Sequence, residues 1–322
     1  MRRLRGPRIV VTPLALWLLA GHGEPLRAEG GAPFGQLGPV EPTKSAPPDL
    51  AFGAFQRGYF GTALQQATKR ISDNPQDGAA MTLIGEIYAQ GLAVKRDAEE
   101  AAHWYRLASQ QGNREGTFAY AMALLNGEGV AKDPAAAKPL FEAASRQGHP
   151  GAMYNLGVMA LQSSGAHDYA AAYDAFSKAA QAGDLDAMFA LATLVRAGQG
   201  TPADDARAAA LFKQAADQKH PGAELEYGIM AFNGEGTPRD EAAAAKYFQL
   251  AALQGNPVAA NRLARLYAAG RGIDKNLLEA SRWHILARAK GISDDWLDTV
   301  VTQLSGPDRN KVEANLRKML GR

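Results

Sequence analysis

The sequence predicts an all-α protein, a solenoid of stacked helix-turn-helix repeats. Three observations carry this reading. The apolar residues, rich in alanine, recur at helical spacing, and long period-two runs of Val, Ile and Thr are missing. A related helix ending recurs at Gly112, Gly148, Gly183, Lys219, Gly255 and Gly291, in steps of 36, 35, 36, 36 and 36 residues. A glycine turn runs in the same frame: Gly127 with Gly129, Gly198 with Gly200, Gly234 with Gly236, and Gly270 with Gly272. The first unit shows only Gly91 there, and the unit 149–183 only Gly165.

The first residues have a different character. Arg2, Arg3, Arg5 and Arg8 form a basic leader, followed by an apolar stretch over 9–20 that is too short for an ordinary membrane-spanning helix. This is the layout of a secretory signal peptide, expected over 1–28, with cleavage after Ala20 or Ala28. The Arg2-Arg3 pair hints at twin-arginine export. The expected location is therefore periplasmic or secreted, with no stable membrane span once the signal is removed. Residues 29–48 carry Gly30, Gly31, Pro33, Pro39, Pro42, Pro47 and Pro48 and read as a flexible linker.

The whole chain has 35 Lys and Arg against 33 Asp and Glu. Residues 1–28 hold five of the arginines and one glutamate, so the remainder carries 30 positive and 32 negative side chains. The basic balance belongs to the leader, and nothing points to nucleic acid, which requires a basic face on the folded domain. There is no cysteine, which excludes disulfides, thiolate chemistry and a cysteine-linked lipid.

Residues 49–76 read as a capping hairpin broken at Gly58. Six repeats follow, at 77–112, 113–148, 149–183, 184–219, 220–255 and 256–291. Each holds a helix A and a helix B. Helix A opens after Asn113, His149, Asp184, His220 or Asn256, with Pro150, Pro221 and Pro257 next in three units; a polar cap and then proline is a helix start. Helix B opens at Asp97, Asp133, Asp168, Asp204, Asp240 or Asn276. Small residues keep one column in helix A (Gly85, Ala121, Gly157, Ala192, Gly228, Ala264) and one in helix B (Ala108, Ala144, Ala179, Ala215, Ala251, Ala287). Tyr105, Phe141, Phe176, Phe212, Phe248 and His284 face them, and small against large lets helices stack closely. Beyond 291, Ser293-Asp294-Asp295 and Ser305-Gly306-Pro307-Asp308 each open a capping helix within 292–322, the last with Val312, Leu316 and Leu320 on one side.

These residues resemble the Sel-one-like repeat family, a branch of the tetratricopeptide class. Its unit looks like A-x-x-x-L-G-x-x-Y-x-x-G-x-G-V-x-x-D followed by A-x-x-W-Y-x-x-A-A-x-x-G. Here 79–97 read AAMTLIGEIYAQGLAVKRD and 101–112 read AAHWYRLASQQG. The unit 149–183 departs, with SSGAHD over 163–168. The resemblance implies a right-handed superhelix and a non-enzymatic adaptor. Several bacterial members are exported and act in signalling, for example by restraining a sensor kinase. A cysteine-rich exported group has been linked to β-lactam binding, and the absence of cysteine here argues against that group.

No catalytic constellation is legible. His22 lies in the leader, His149 and His220 share the cap slot, His284 sits in the aromatic column, and His103 and His167 have no ligand-spaced companion. G-x-S-x-G, a P-loop and a strand-linked G-x-G-x-x-G are missing. Neither a cofactor nor a metal is expected.

In this architecture helix A lines the concave surface, and three columns of helix A share a face. The first is Leu83, Ala119, Asn155, Ala190, Glu226 and Arg262; the second is Glu86, Met122, Val158, Thr193, Ile229 and Arg265; the third is Gln90, Asn126, Gln162, Ala197, Asn233 and Ala269. Their chemistry changes from unit to unit, whereas the core columns repeat. The expected partner-binding groove therefore contains Glu86, Gln90, Met122, Asn126, Asn155, Gln162, Thr193, Glu226, Asn233, Arg262 and Arg265. It should be amide-rich and apolar in the middle and basic near Arg262 and Arg265. Phe118, Tyr154 and Phe189 are either anchors at its edge or core residues.

The leading expectation is an envelope adaptor that docks a segment of another protein. A cell-wall glycan binder or assembly factor is the alternative, and a wall-active hydrolase stands behind both. Glycan binding would use exposed aromatics. Trp104 and Trp283 fall in helix B and should be buried, leaving Trp296 as the better candidate for exposure.

Overall fold

The structure is a computed structural model that describes residues 49–162 and 167–319. The expected leader over 1–28, the linker over 29–48, the Gly165 turn and Leu320 lie outside the described residues, as does the side chain of Leu316. All regular structure among the described residues is helical.

A short hairpin comes first, α1 (Leu50–Gln56) and α2 (Phe60–Asp73), turning at Gly58 with φ +79°. The A helices are α3 (Gly78–Gln90), α5 (Arg114–Asn126), α7 (Pro150–Leu161), α9 (Leu185–Ala197), α11 (Pro221–Asn233) and α13 (Pro257–Ala269). The B helices are α4 (Ala98–Gln110), α6 (Pro134–Arg146), α8 (Tyr169–Gln181), α10 (Asp205–Asp217), α12 (Glu241–Leu253) and α14 (Leu277–Ala289). Each packs on its neighbours in sequence, the arrangement of an α-solenoid. Helices α15 (Asp295–Thr302) and α16 (Gly306–Met319) close the stack against α14, where Leu304 and Val312 are buried among Leu277, Leu278, Ile285 and Leu286.

Local chemistry sets the boundaries. Every A and B helix begins at a residue whose side chain accepts an amide from the first turn, including His149 and His220 through Nδ1. The B-helix cap also donates its own N–H back to the last turn of helix A, as Asp133 does to Leu124 O at 2.7 Å and Asp240 to Ala231 O at 2.8 Å. That bond fixes the hairpin in each repeat.

The two turn glycines have different reasons. The first, such as Gly127 at φ +77°, is the left-handed cap that ends helix A. The second makes a close backbone approach: a Cβ on Gly129 would lie 1.8 Å from Ala98 O, at the start of the preceding helix B. Gly200, Gly236 and Gly272 repeat this at 2.0–2.2 Å. Ala93 takes the second slot in the first unit at φ +60°, and Lys219 holds a left-handed position at φ +69° where the other repeat endings use glycine.

The small-against-large column is present at atomic scale. A Cβ on Gly85, Gly157 or Gly228 would come within 2.5–2.7 Å of the Tyr105, Phe176 or Phe248 ring. The alanines of the helix B column are fully buried. Of the two tryptophans expected to be buried, one is corrected and one holds. Trp104 is only partly buried, because its indole N–H donates to the surface carboxylate of Glu100 at 2.8 Å; Trp283 is buried. Among the described residues, no helix is long and apolar enough to cross a membrane.

Candidate functional site

The A-helix columns place the predicted residues on one face, but local bonds tie down several of them. Glu86 accepts the Tyr105 hydroxyl at 2.9 Å and the Gln90 amide. Burial and the Glu86 charge push the Tyr105 hydroxyl far above its usual range. Met122 packs against the Phe118–Phe141 cluster, and Asn126 is half-buried. Asn155 donates to Gly151 O at 2.7 Å, within its own helix. Gln162 is exposed, as is Thr193, whose hydroxyl donates to Phe189 O at 2.9 Å.

The middle of the face is more charged than the sequence suggested. Arg196 on α9 donates to Glu226 at 3.0 Å and to Glu235 at 2.8 Å, and Asn233 donates to Glu235 at 2.9 Å. The reason is the distance along the chain: Glu226 and Glu235 lie 30 and 39 residues from Arg196 and meet it only when α9 and α11 are stacked. Phe118 and Phe189 belong to the packing between repeats, and Tyr154 to the packing of helix A on helix B within its own repeat. Phe118 is buried and stacks on His149 at 4.0 Å, Phe189 stacks on His220 at 4.9 Å, and Tyr154 meets Phe176 at 5.6 Å.

Arg262 and Arg265 line the same two adjoining cavities, of about 440 and 560 Å³. The first is also lined by Phe232, Phe248, Leu266, Ala269, Arg271 and Trp296. Trp296 is 45% exposed, and the Arg265 guanidinium lies 5.5 Å from its ring centre. Arg265 is not a free charge: it grips Asp294 with two bonds, 2.6 and 2.9 Å, and Asn261 adds a third at 2.9 Å. These donors hold the Asp294 carboxyl below its usual range against the effect of burial. Sequence reasoning expected Asp294 as a cap but missed this pairing. It also missed Phe232 and Arg271, for which no single-repeat signal exists.

The remaining buried charge is Glu224, which sits in a slot that Met81, Thr117, Met153, Met188 and Ala260 fill in the other units. Its carboxyl, bonded to Gln254 at 2.8 Å, is pushed up by desolvation. Among the described residues, no group of three His, Asp or Glu side chains could hold a metal ion.

Comparison with known proteins agrees with this geometry. A Sel1 repeat protein from Oxalobacter formigenes is 26% identical, with a TM-score of 0.64, over 77% of this chain and 100% of that one. A protective antigen present in uropathogenic Escherichia coli strains, displaying an SLR fold, is 21% identical with a TM-score of 0.51, over 80% of this chain and 64% of that one. No curated protein matches the chain. The Sel1 repeat itself matches six times, at 78–113, 115–149, 150–184, 185–220, 221–256 and 257–292, in phase with the capped helix pairs described above. With most of its length in those units, this chain belongs to the Sel1 repeat family.

Proposed function

We propose that the chain is a non-enzymatic interaction scaffold of the cell envelope that docks a segment of a partner protein along the A-helix face. Sel1 repeat proteins mediate protein–protein interaction, which sets the class. The observation that carries the finer reading is the contrast within each helix A. The column at Gly85, Ala121, Gly157, Ala192, Gly228 and Ala264 is fixed by packing, while the neighbouring face runs from Glu86 through Met122 and Thr193 to Arg265 with no common chemistry. A face free to vary while its scaffold repeats suits recognition of a non-uniform ligand. The basic, apolar leader over 1–28 supports export.

Photocrosslinking in cells tests both parts. A crosslinker placed at Gln90, Gln162 or Thr193, all exposed on helix A or its end, should capture one protein from the envelope fraction. The same group at Arg146 or Lys178 on the B helices should not. Capture from both faces equally would sink the groove reading, and recovery in the cytoplasmic fraction would sink the envelope reading. The exposed Trp296 ring keeps a wall-glycan reading in view, since sugars stack on such rings. Retention on purified cell-wall glycan, abolished by Trp296→Ala, would replace the protein partner.

A further inference from the structure

The cavity between α11, α13 and α15 has a charge imbalance that defines its ligand. Three guanidiniums line it, those of Arg262, Arg265 and Arg271, and no carboxylate does. Two of the three are held from behind. Arg265 uses Nε and Nη2 on Asp294, and Arg271 uses Nε and Nη2 on Glu241, at 3.1 and 2.6 Å. Their planes are also set against rings: Arg271 lies 4.4 Å from the Phe232 ring centre and Arg265 5.5 Å from that of Trp296. These contacts fix both side chains and leave Nη1 of each without an acceptor among the described residues. Arg262 is exposed and has no hydrogen-bond or ion-pair partner among the described residues. The same slot in the other units holds Leu83, Ala119, Asn155, Ala190 and Glu226, the last already paired with Arg196.

Arg262 thus stands unpaired in a concave space of about 440 Å³, beside preorganised spare donors and the faces of Phe232, Leu266 and Trp296. Guanidiniums of this kind select planar anions with two oxygens, and the apolar walls select a neighbouring side chain. We infer that this cavity receives a carboxylate of the partner segment, flanked by an aromatic or aliphatic residue that covers Trp296. The inference rests on the groove reading above and names what one end of the groove recognises. The carboxylate is an Asp or Glu side chain or a chain terminus; the chemistry is shared, and the test separates the two.

The test is selection of a display library of random twelve-residue peptides on the full chain, followed by affinity measurement for the recovered peptides. The expected result is a shared carboxylate next to an apolar residue. Replacing that carboxylate by its amide, or Arg262 by Gln, should each weaken binding about tenfold, as for a hydrogen bond to a charged group. The two changes together should cost no more than either alone. Loss on amidating only the C-terminus identifies a terminal carboxylate; loss on Asp→Asn or Glu→Gln identifies a side chain. Arg262→Gln removes no contact within the fold, so a folding failure cannot imitate the result. Peptides that bind Arg262→Gln as tightly as wild type but lose affinity on Thr193→Arg would overturn this inference and leave the groove reading standing. Peptides insensitive to both substitutions, or no recovered peptide, would overturn both.

Discussion

His149 reaches back one repeat, placing Nε2 3.0 Å from Glu115 Oε2 while its Nδ1 accepts the Ala152 amide at 3.1 Å. Because Nδ1 accepts, the ring proton sits on Nε2 and is donated to the carboxylate. His220 does the same two repeats later, with Asp186 at 3.1 Å and the Ala223 amide at 3.0 Å. One side chain therefore caps its own helix and ties it to the helix before; Asn113 does the same through Oδ1, which accepts the Gly116 amide at 2.8 Å and the Thr82 hydroxyl at 3.0 Å, whereas Asn256 bonds to its own first turn.

Substitution at this cap should separate its two roles. His149→Asn keeps an acceptor for the Ala152 amide but gives up the stack on Phe118 and the bond to Glu115. His149→Ala loses all three. Loss of a cap costs about 1 kcal/mol, so chemical denaturation should rank wild type above His149→Asn, and His149→Asn above His149→Ala by about that amount. Equal stability of the two variants would show that the cap contributes nothing.

The same pair sets a pH dependence. The His149 ring N–H, with Arg114, holds the Glu115 carboxyl down to about 2, from an ordinary value of 4.5. A depressed carboxyl contributes stability that is fully present above the unfolded value and is lost as pH falls towards the folded one. Between pH 4.5 and about 2, wild type should lose this contribution, and Glu115→Gln should lack that part of the slope. Glu115 is half-exposed, so water screens the effect, and unfolding curves at several pH values are needed to see it. Parallel curves for the two proteins would dispose of the idea.

The glycines predict an order. Gly157→Ala sets a Cβ 2.5 Å from the Phe176 ring. The ring can shift, as the units with Ala121 and Ala192 opposite phenylalanine demonstrate, and overpacking of this sort costs about 1–3 kcal/mol. Gly129→Ala sets a Cβ 1.8 Å from a backbone carbonyl at a φ of +68°. Backbone cannot rotate away, so Gly129→Ala should be the more destabilising by thermal melting. The reverse order would contradict the close approach between repeats.

Asp294 joins the last repeat to its cover. It caps α15 through the Leu297 amide at 3.2 Å and anchors Arg265 and Asn261 of α13. Asp294→Ala should raise amide exchange through 295–312 while leaving α3–α12 protected, because repeat arrays open locally from their ends. Asp294→Asn, which keeps a cap but not the charge pair, should fall between. Uniform exchange across the chain would mean that the C-terminal helices are not held by this residue.

Most of the fold was legible because each repeat states its own local rules. The N-caps, the left-handed glycines and the Gly/Ala column against the rings follow from backbone sterics and helical spacing within some 36 residues, and six repetitions made the pattern plain. The candidate face was legible as a set of positions, since side chains four apart in a helix share a side. Its chemistry was not. Arg265 meets Asp294 across 29 residues and Arg196 meets Glu235 across 39, so one arginine of the basic end is matched and the middle, expected to be amide-rich and apolar, carries an ion network. The second nitrogen of His149 escaped for a related reason, because a cap slot accounts for only one of its two bonds.

By itself, then, the amino-acid sequence determined the helices, their boundaries and the order in which they stack, all of which depend on residues close in the chain. Only the tertiary structure decided which charges remain unpaired. That depends on which side chains distant repeats bring within hydrogen-bond reach, and of the three arginines that line the cavity beside Phe232 and Trp296 it leaves Arg262 without a partner among the described residues.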